Sequence, residues 1–473
     1  MVARSAVFST LLAGVPAGIA QAQFVETDAV ALHSYQLPAS SAYGWAVSEL
    51  RDIDGDGVQE AVTSSPNRSS RRGAVYVYSG VSGDELMMVL GTATNEQLGY
   101  SIADAGDVDN DGSIDVVAGG IGGGGTGLIR VLSGTPGSFG QEILMVAGAA
   151  SGDQFGYAVA SVGDVNDDGH SDVVVGAPRH SSVAASAGRA YVVSGFDGSF
   201  LHTFNGSGTA GALFGQGVSG LGDIDGDGID DLCVAATGSG EAFVYSGESG
   251  DLIHGPLSAD PTNASFGQFF VGGPGDTNLD GIPDVYVGDF GDSSGRGRFY
   301  VFSGADGSRL LNVPGESPGD GLGCGRGLNA DIDGDGAKDL VVGSYTSSAS
   351  GIANSGFIRI YSGRTGRVLR QVTGNIANAS LGFDVVGMGD TNADGHPELI
   401  ASASSRGMIH VVEGQAPCLA DYLRDRSLTF FDISTYLDLF VSGDLQADLE
   451  APFGTLNFFD ISRFIGLFVA GCD

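Results

Sequence analysis

Acidic residues recur along this chain at a spacing that could gather oxygen atoms around a cation. The pattern D-x-[DN]-x-D-G-x-x-[DE] begins at Asp52, Asp107, Asp164, Asp223, Asp276, Asp331 and Asp390. Alternate residues of a tight loop point the same way, so the side chains at positions 1, 3 and 5 converge. Gly at position 6 permits a left-handed backbone. Position 7 can then offer its carbonyl, and the acid at position 9 can close the site. The candidate side-chain ligands are Asp52, Asp54, Asp56 and Glu60; Asp107, Asp109, Asp111 and Asp115; Asp164, Asn166, Asp168 and Asp172; and Asp223, Asp225, Asp227 and Asp231. The later loops add Asp276, Asn278, Asp280 and Asp284; Asp331, Asp333, Asp335 and Asp339; and Asp390, Asn392, Asp394 and Glu398. The candidate carbonyls are those of Val58, Ser113, His170, Ile229, Ile282, Ala337 and His396.

Hard oxygen donors without Cys or side-chain His select Ca²⁺ over transition metals, with up to seven structural ions. Asp-Gly clusters are also good turn formers, but a turn alone does not need four oxygens pointed at one place. Without a cation such a gathering is repulsive. At the millimolar calcium of extracellular fluids each site would add on the order of 1 kcal/mol to folding.

The elements that must hold these loops repeat with them. Successive loops start 53 to 59 residues apart. About ten residues upstream of each stands an aromatic residue or Leu followed by Gly: Tyr43-Gly44, Leu98-Gly99, Phe155-Gly156, Phe214-Gly215, Phe266-Gly267, Leu322-Gly323 and Leu381-Gly382. Downstream come a short apolar run, a Gly/Ser-rich loop and a β-branched and aromatic strand ending in Ser-Gly, such as Tyr191 to Gly195. One more short strand follows before the next unit. Four short strands per unit of about 55 residues, with no helical periodicity, predict an all-β fold: a seven-bladed β-propeller of four-stranded antiparallel blades. The last unit lacks a fourth strand after Gly414, and Ala29 to Leu37 has no unit of its own. This N-terminal strand is predicted to complete the seventh blade and latch the ring.

Composition narrows the function. The 473 residues include 80 Gly without a three-residue period and only 14 Pro, which excludes collagen. A hydrophobic share of 42% excludes wholesale disorder. Acids outnumber bases 57 to 21, for a net charge of −36. Such a chain is repelled by nucleic acid and by anionic lipid. Residues 1–22 read as a secretory signal, with Arg4, an apolar stretch from Ala6 to Ala20 and the small-residue pattern Ala20-Gln21-Ala22. No stretch reaches about 18 uninterrupted apolar residues, so no membrane span is expected. The expected location is extracellular or at the cell surface.

Phe155-Gly156 and Gly176-Ala177-Pro178, on either side of the Asp164 loop, resemble the FG-GAP repeat of integrin α-subunit propellers. The resemblance extends over residues 23–416, recurs seven times, and implies a ring with calcium hairpins on one rim. The other copies keep the acidic loop and blur the residues that name the repeat.

After Pro417 Gly becomes rare, and Phe430-Phe431-Asp432-Ile433-Ser434 recurs as Phe458-Phe459-Asp460-Ile461-Ser462. Helical spacing of Ile433, Tyr436, Leu437 and Phe440, and of Ile461, Phe464, Ile465 and Phe468, predicts two helices packed face to face. Cys418 and Cys472 bracket this segment, 417–473, and read as its disulfide clasp, while Cys233 and Cys324 read as buried thiols. The segment resembles a degenerate dockerin-type module. Asp421, Asp425 and Asp432 match positions 1, 5 and 12 of that family's first loop, but Leu423 takes position 3 and Arg426 replaces the turn Gly. The second loop, Asp448 to Asp460, is one residue longer and contains Pro452. The resemblance implies a docking or sorting tail with a cohesin-like or envelope partner; a self-contained cap is the other reading.

Catalytic signals are weak. Gly291-Asp292-Ser293-Ser294-Gly295 matches a nucleophile pattern without the strand-turn-helix that chemistry needs. Gly122 to Gly127 matches a phosphate-loop pattern with no helix after it. The seven His are scattered. The expected function is a non-enzymatic binding or adhesion scaffold for an extracellular protein or glycan; a polysaccharide lyase or hydrolase, or a lectin, is the alternative. The rim opposite the hairpins carries the long loops, with Arg68, Arg71, Arg72, Arg179 and Arg296.

Overall fold

β-Branched and aromatic runs punctuated by Gly-rich turns fold into seven antiparallel sheets of four strands each. The computed structural model describes residues 24–26, 29–259, 265–291, 295–328, 330–414, 419–422, 428–449 and 455–471. In the first blade Val47–Leu50, Glu60–Ser64, Ala74–Tyr78 and Glu85–Leu90 pair in chain order. The two middle strands are buried at every position, and the fourth strand is mostly exposed or half-buried. That gradient suits radial sheets, whose inner strands are covered by both neighbouring blades. Val62, Val75 and Val77 of the first blade pack with Ile102, Val116 and Ala118 of the second.

The seventh blade has only Leu381–Gly387, Leu399–Ala403 and Met408–Val412 of its own sequence region. Its outer strand is Ala31–Gln36, which runs antiparallel to Met408–Val412 with Ala31 opposite Val412 and Gln36 opposite Met408. The predicted latch is therefore present, and one sheet joins the two ends of the ring.

The repeated aromatic-or-Leu-Gly pair is the joint between blades. Tyr43, Leu98, Phe155, Phe214, Phe266, Leu322 and Leu381 are all at most 2% exposed. The glycine after them faces the previous blade. Gly156 has φ +82°, and a Cβ there would stand 2.3 Å from the carbonyl oxygen of Leu128. Only glycine satisfies both constraints.

Each acidic loop joins the first and second strands of a blade. It lies at the same end of the sheet as the Ser-Gly turn between the third and fourth strands, to which it is hydrogen-bonded. The opposite rim is built from the loops between second and third strands and from the connections between blades.

Two helices follow, α1 (Phe430–Ser442) and α2 (Phe458–Ala470). Each starts with a capping box, Thr429 with Asp432 and Asn457 with Asp460. Tyr436 and Phe464 stack at 4.1 Å and 2° in the seam. Leu437 and Ile465, expected in that seam, are 43% and 55% exposed. The seam centres on the preceding residue, and one step along a helix turns a side chain about 100° away. Arg364 reaches Asp448 at 3.4 Å, and Arg367 lies 4.1 Å from the centre of the Tyr422 ring, so the segment rests against the sixth blade. Cys233 and Cys324 are buried free thiols. The leader at residues 1–22, the pair Cys418 and Cys472, Asp425 and Ser293 lie outside the described residues. No described helix is long and apolar enough to cross a membrane.

Candidate metal centres and the opposite rim

The seven acidic loops share one backbone. The position-6 Gly is left-handed in every copy, from φ +88° at Gly169 to +93° at Gly228 and Gly395. Its N–H donates to the position-1 carboxylate, as from Gly57 to Asp52 Oδ2 at 2.8 Å and from Gly395 to Asp390 Oδ2 at 2.8 Å. The position-7 N–H donates to the position-5 carboxylate, from Val58, Ser113, His170, Ile229, Ile282, Ala337 and His396 alike. A second left-handed residue stands at position 4, where the sequence pattern is blank. Gly55, Asn110, Asp167, Gly226, Leu279, Gly334 and Ala393 all have positive φ.

The position-9 acid has a double role. Glu60, Asp115, Asp172, Asp231, Asp284, Asp339 and Glu398 are each 0% exposed. Asp115 accepts from Val108 N at 2.9 Å and from Gly134 N at 3.1 Å, which ties the loop to the Ser-Gly turn. The same two bonds recur at Asp172, Asp231, Asp284, Asp339 and Glu398. Burial pushes Asp284 up, and takes Glu60 and Asp339 to about 8, Asp115 to about 7, and Asp172 and Asp231 to about 6. Neighbouring loop carboxylates push the same way.

Among the described residues, five loops bring three or more carboxylates within 4.8 Å of one another. Asp52, Asp54, Asp56 and Glu60 form the fullest set. Asp107, Asp109 and Asp115, then Asp223, Asp225 and Asp231, and Asp331, Asp333 and Asp339 use positions 1, 3 and 9, while Asp390, Asp394 and Glu398 use 1, 5 and 9. Asp111, Asp227 and Asp335 stand outside their groups. Burial first, and then neighbouring carboxylates, raise Asp54 and Asp109; the same two causes take Asp333 to about 7.

The loops with Asn at position 3 differ. Asn166 Nδ2 donates to Asp168 Oδ2 at 2.9 Å, Asn278 Nδ2 to Asp280 Oδ2 at 2.8 Å, and Asn392 Nδ2 to Asp394 Oδ2 at 3.0 Å. An amide hydrogen there answers part of the negative charge. A metal ion passes one direct test in the first loop: Glu60 Oε2 is buried with no hydrogen-bond partner and belongs to an all-oxygen group. Such a set can hold a hard divalent cation.

Sequence reasoning missed a feature of the opposite rim. Eight aromatic rings form a closed circuit there: Phe383, Trp45, Tyr100, Tyr157, Phe269, Phe270, Phe290 and Tyr345, with successive centroids 4.9 to 6.3 Å apart. A signal did exist. Trp45, Tyr100, Tyr157 and Phe383 each directly follow the Gly of the repeated pair. Beneath the circuit Arg326 and Asp384 line a cavity of about 40 Å³, enough for a few waters. A ring of aromatic faces, half-buried in all but Tyr157 and Phe270, can take an apolar or cationic group.

A family model described as FG-GAP repeat matches residues 155–193. Chicken (Gallus gallus) integrin alpha-6 is 33% identical over 157 residues, 32% of this chain and 15% of that one. Integrin alpha pat-2 of Caenorhabditis elegans is 30% identical over 230 residues, 41% and 18% of the two chains. Chicken integrin alpha-V is 27% identical over 247 residues, 48% and 23%. The matched stretches thus span less than a quarter of these relatives. Among solved structures, BBS1N in complex with ARL6DN, soaked with lead, shares the fold with a TM-score of 0.51 and 12% identity, covering 82% of this chain and 97% of that one. The repeat and the relatives support an integrin-like seven-bladed propeller.

Proposed function

We propose that the protein is a calcium-stabilised, non-enzymatic binding scaffold that works outside the cell. The acidic loops take up to seven Ca²⁺, each through side chains at positions 1, 3 and 5, the carbonyl at 7 and the acid at 9. The observation that carries this is the convergence of Asp52, Asp54, Asp56 and Glu60, with one Glu60 oxygen buried and unpartnered. Bound Ca²⁺ supplies the positive charge that the loops lack. The ring then presents its opposite rim, with the aromatic circuit, to an extracellular protein or glycan, and the likeness to integrin alpha chains supports adhesion as the use. Residues 1–22 serve as the secretory signal, 23–416 form the propeller, and 417–473 act as a dockerin-like tail closed by Cys418–Cys472 that docks an envelope partner.

The test is capture from the producing cell's envelope by the immobilised full chain, with calcium and then with chelator. Retention that is lost on chelation is expected, and the same protein should melt at lower temperature without calcium. A melting curve unchanged by chelation would overturn the metal role. A second reading, a polysaccharide-degrading propeller, is favoured by the placement of Tyr100 and Tyr157 in the aromatic circuit, with Arg179 close enough to act electrostatically on Tyr100. Release of shortened or unsaturated products from a polyuronate would establish it.

A further inference from the structure

In the third blade the acid two residues before the Phe-Gly pair holds a histidine. His180 Nδ1 lies 2.6 Å from Asp153 Oδ2, and the two residues are only 8% and 5% exposed. In the sixth blade the same two register positions carry Ser347 and Asp320, and the serine hydroxyl donates to Asp320 Oδ1 at 2.8 Å. Both pairs are separated by 27 residues, and both tie the connection between blades to the loop between second and third strands. A serine suffices for that tie. The histidine adds a second nitrogen, and His180 Nε2 is buried with no hydrogen-bond partner. Leaving such an atom unpaired is costly.

With Nδ1–H donating to the carboxylate, Nε2 keeps its lone pair and can accept from a hydroxyl. His180 lines a surface cavity of about 550 Å³ together with Arg179, Ser181, Ser182 and Ser186. Arg179 is exposed, and the ion pairs of the described residues do not include it. The lining has no large apolar side chain to seat a peptide residue. On a chain with net charge −36, a cavity whose exposed charge is a guanidinium is a local exception that sets the sign of its ligand.

We infer that this cavity binds a sugar acid, with the ligand carboxylate on Arg179 and a ligand hydroxyl that, as the wall over the buried Nε2 yields, donates to His180. The serine hydroxyls around them serve the remaining sugar hydroxyls. The site deepens the scaffold reading by assigning one ligand class to the rim opposite the acidic loops, and it rests on that reading only for the use of this rim.

The test is calorimetric titration of the calcium-loaded full chain with the methyl glycoside of glucuronic acid and with the methyl ester of the same sugar. Saturable binding of the acid is expected, with the ester weaker by about tenfold or more. His180→Ser copies the sixth blade, so it should melt like the parent and lose about tenfold in affinity; Arg179→Gln should lose as much. The ¹⁵N resonance of His180 Nε2 should shift on binding in the parent protein. Equal affinity for acid and ester, no saturation, or indifference to both variants would overturn the assignment. If His180→Ser does not fold, the exposed Arg179→Gln decides alone. Binding of a glutamate-rich peptide through the same residues, with the sugar acid inert, would replace the ligand class and equally overturn it. None of these failures would alter calcium-dependent melting, which tests the scaffold reading separately.

Discussion

The acidic loops come in two kinds that share one backbone and differ in how they manage charge. Four copies have Asp at position 3, as in Asp54, Asp109, Asp225 and Asp333; three have Asn, at 166, 278 and 392. In each Asp copy, and in the Asn392 copy, at least three carboxylates come within 4.8 Å, but only the Asn copies spend an amide hydrogen on the position-5 acid. The Asp copies gain more from a cation and suffer more without it. The Asn copies are partly self-neutralised, so they serve as internal references for what the metal adds.

The largest effect should come from removing the metal. Chelation at pH 7.5 is expected to lower the melting temperature by on the order of 10 °C. Acid should then restore part of the loss. Glu60 and Asp339 are raised to about 8, Asp115 and Asp333 to about 7, and Asp172 and Asp231 to about 6. Each such group binds its proton more tightly in the folded chain than in the unfolded one, so the unfolding free energy falls as pH rises through that window. The calcium-free protein should therefore melt higher at pH 6 than at pH 8, and the stabilisation by calcium should shrink over the same descent. A calcium-free melting temperature that instead falls from pH 8 to pH 6 would show that these acids are not the controlling groups.

Next in size are the buried closing acids. Asp115→Ala strips two backbone N–H groups of their acceptor and should cost about 3 kcal/mol without calcium and more with it, measured by denaturant unfolding. Asp109→Ala should cost less, and only when calcium is present. Converting one kind of loop into the other gives a finer test. Asp109→Asn should remove about 1 kcal/mol of the calcium-dependent stabilisation and leave the calcium-free protein unharmed. Equal calcium dependence before and after would erase the distinction between the loops. The smallest effect lies in the backbone. Leu279 is left-handed at φ +66° and 47% exposed, so Leu279→Gly should raise stability by about 0.5 kcal/mol. A loss would mean that the position of its side chain beside Gly336 of the next loop matters more than the strain.

Much of the ring is legible in the sequence, because its constraints fall on single residues. Gly156 cannot be replaced without striking Leu128, and position 6 requires a left-handed turn, so both recur as letters. The latch was legible as an arithmetic gap, one blade short of a strand and one strand short of a blade. Position 4 was not, since Asn110, Leu279 and Ala393 reach the left-handed region as well as Gly55 does. Nor was the tie between Asp115 and Gly134, whose members are 19 residues apart. The aromatic circuit draws its rings from six of the blades, and the fourth contributes Gln216, whose Nε2 donates to Tyr157 Oη at 3.2 Å. The tail illustrates the same limit, for helical spacing found α1 and α2 but placed Leu437 and Ile465 on the wrong side of the seam.

Chain-local order decided the oxygen character of the loops, which depends on residues within about ten positions of one another, and the number of units and the strand left over to close the ring follow from counting such local segments along the chain. Tertiary structure decided which carboxylates meet, how deeply the closing acids are buried and what His180 faces. Those properties depend on the desolvation and close approach that arise only when strands far apart in sequence are packed side by side.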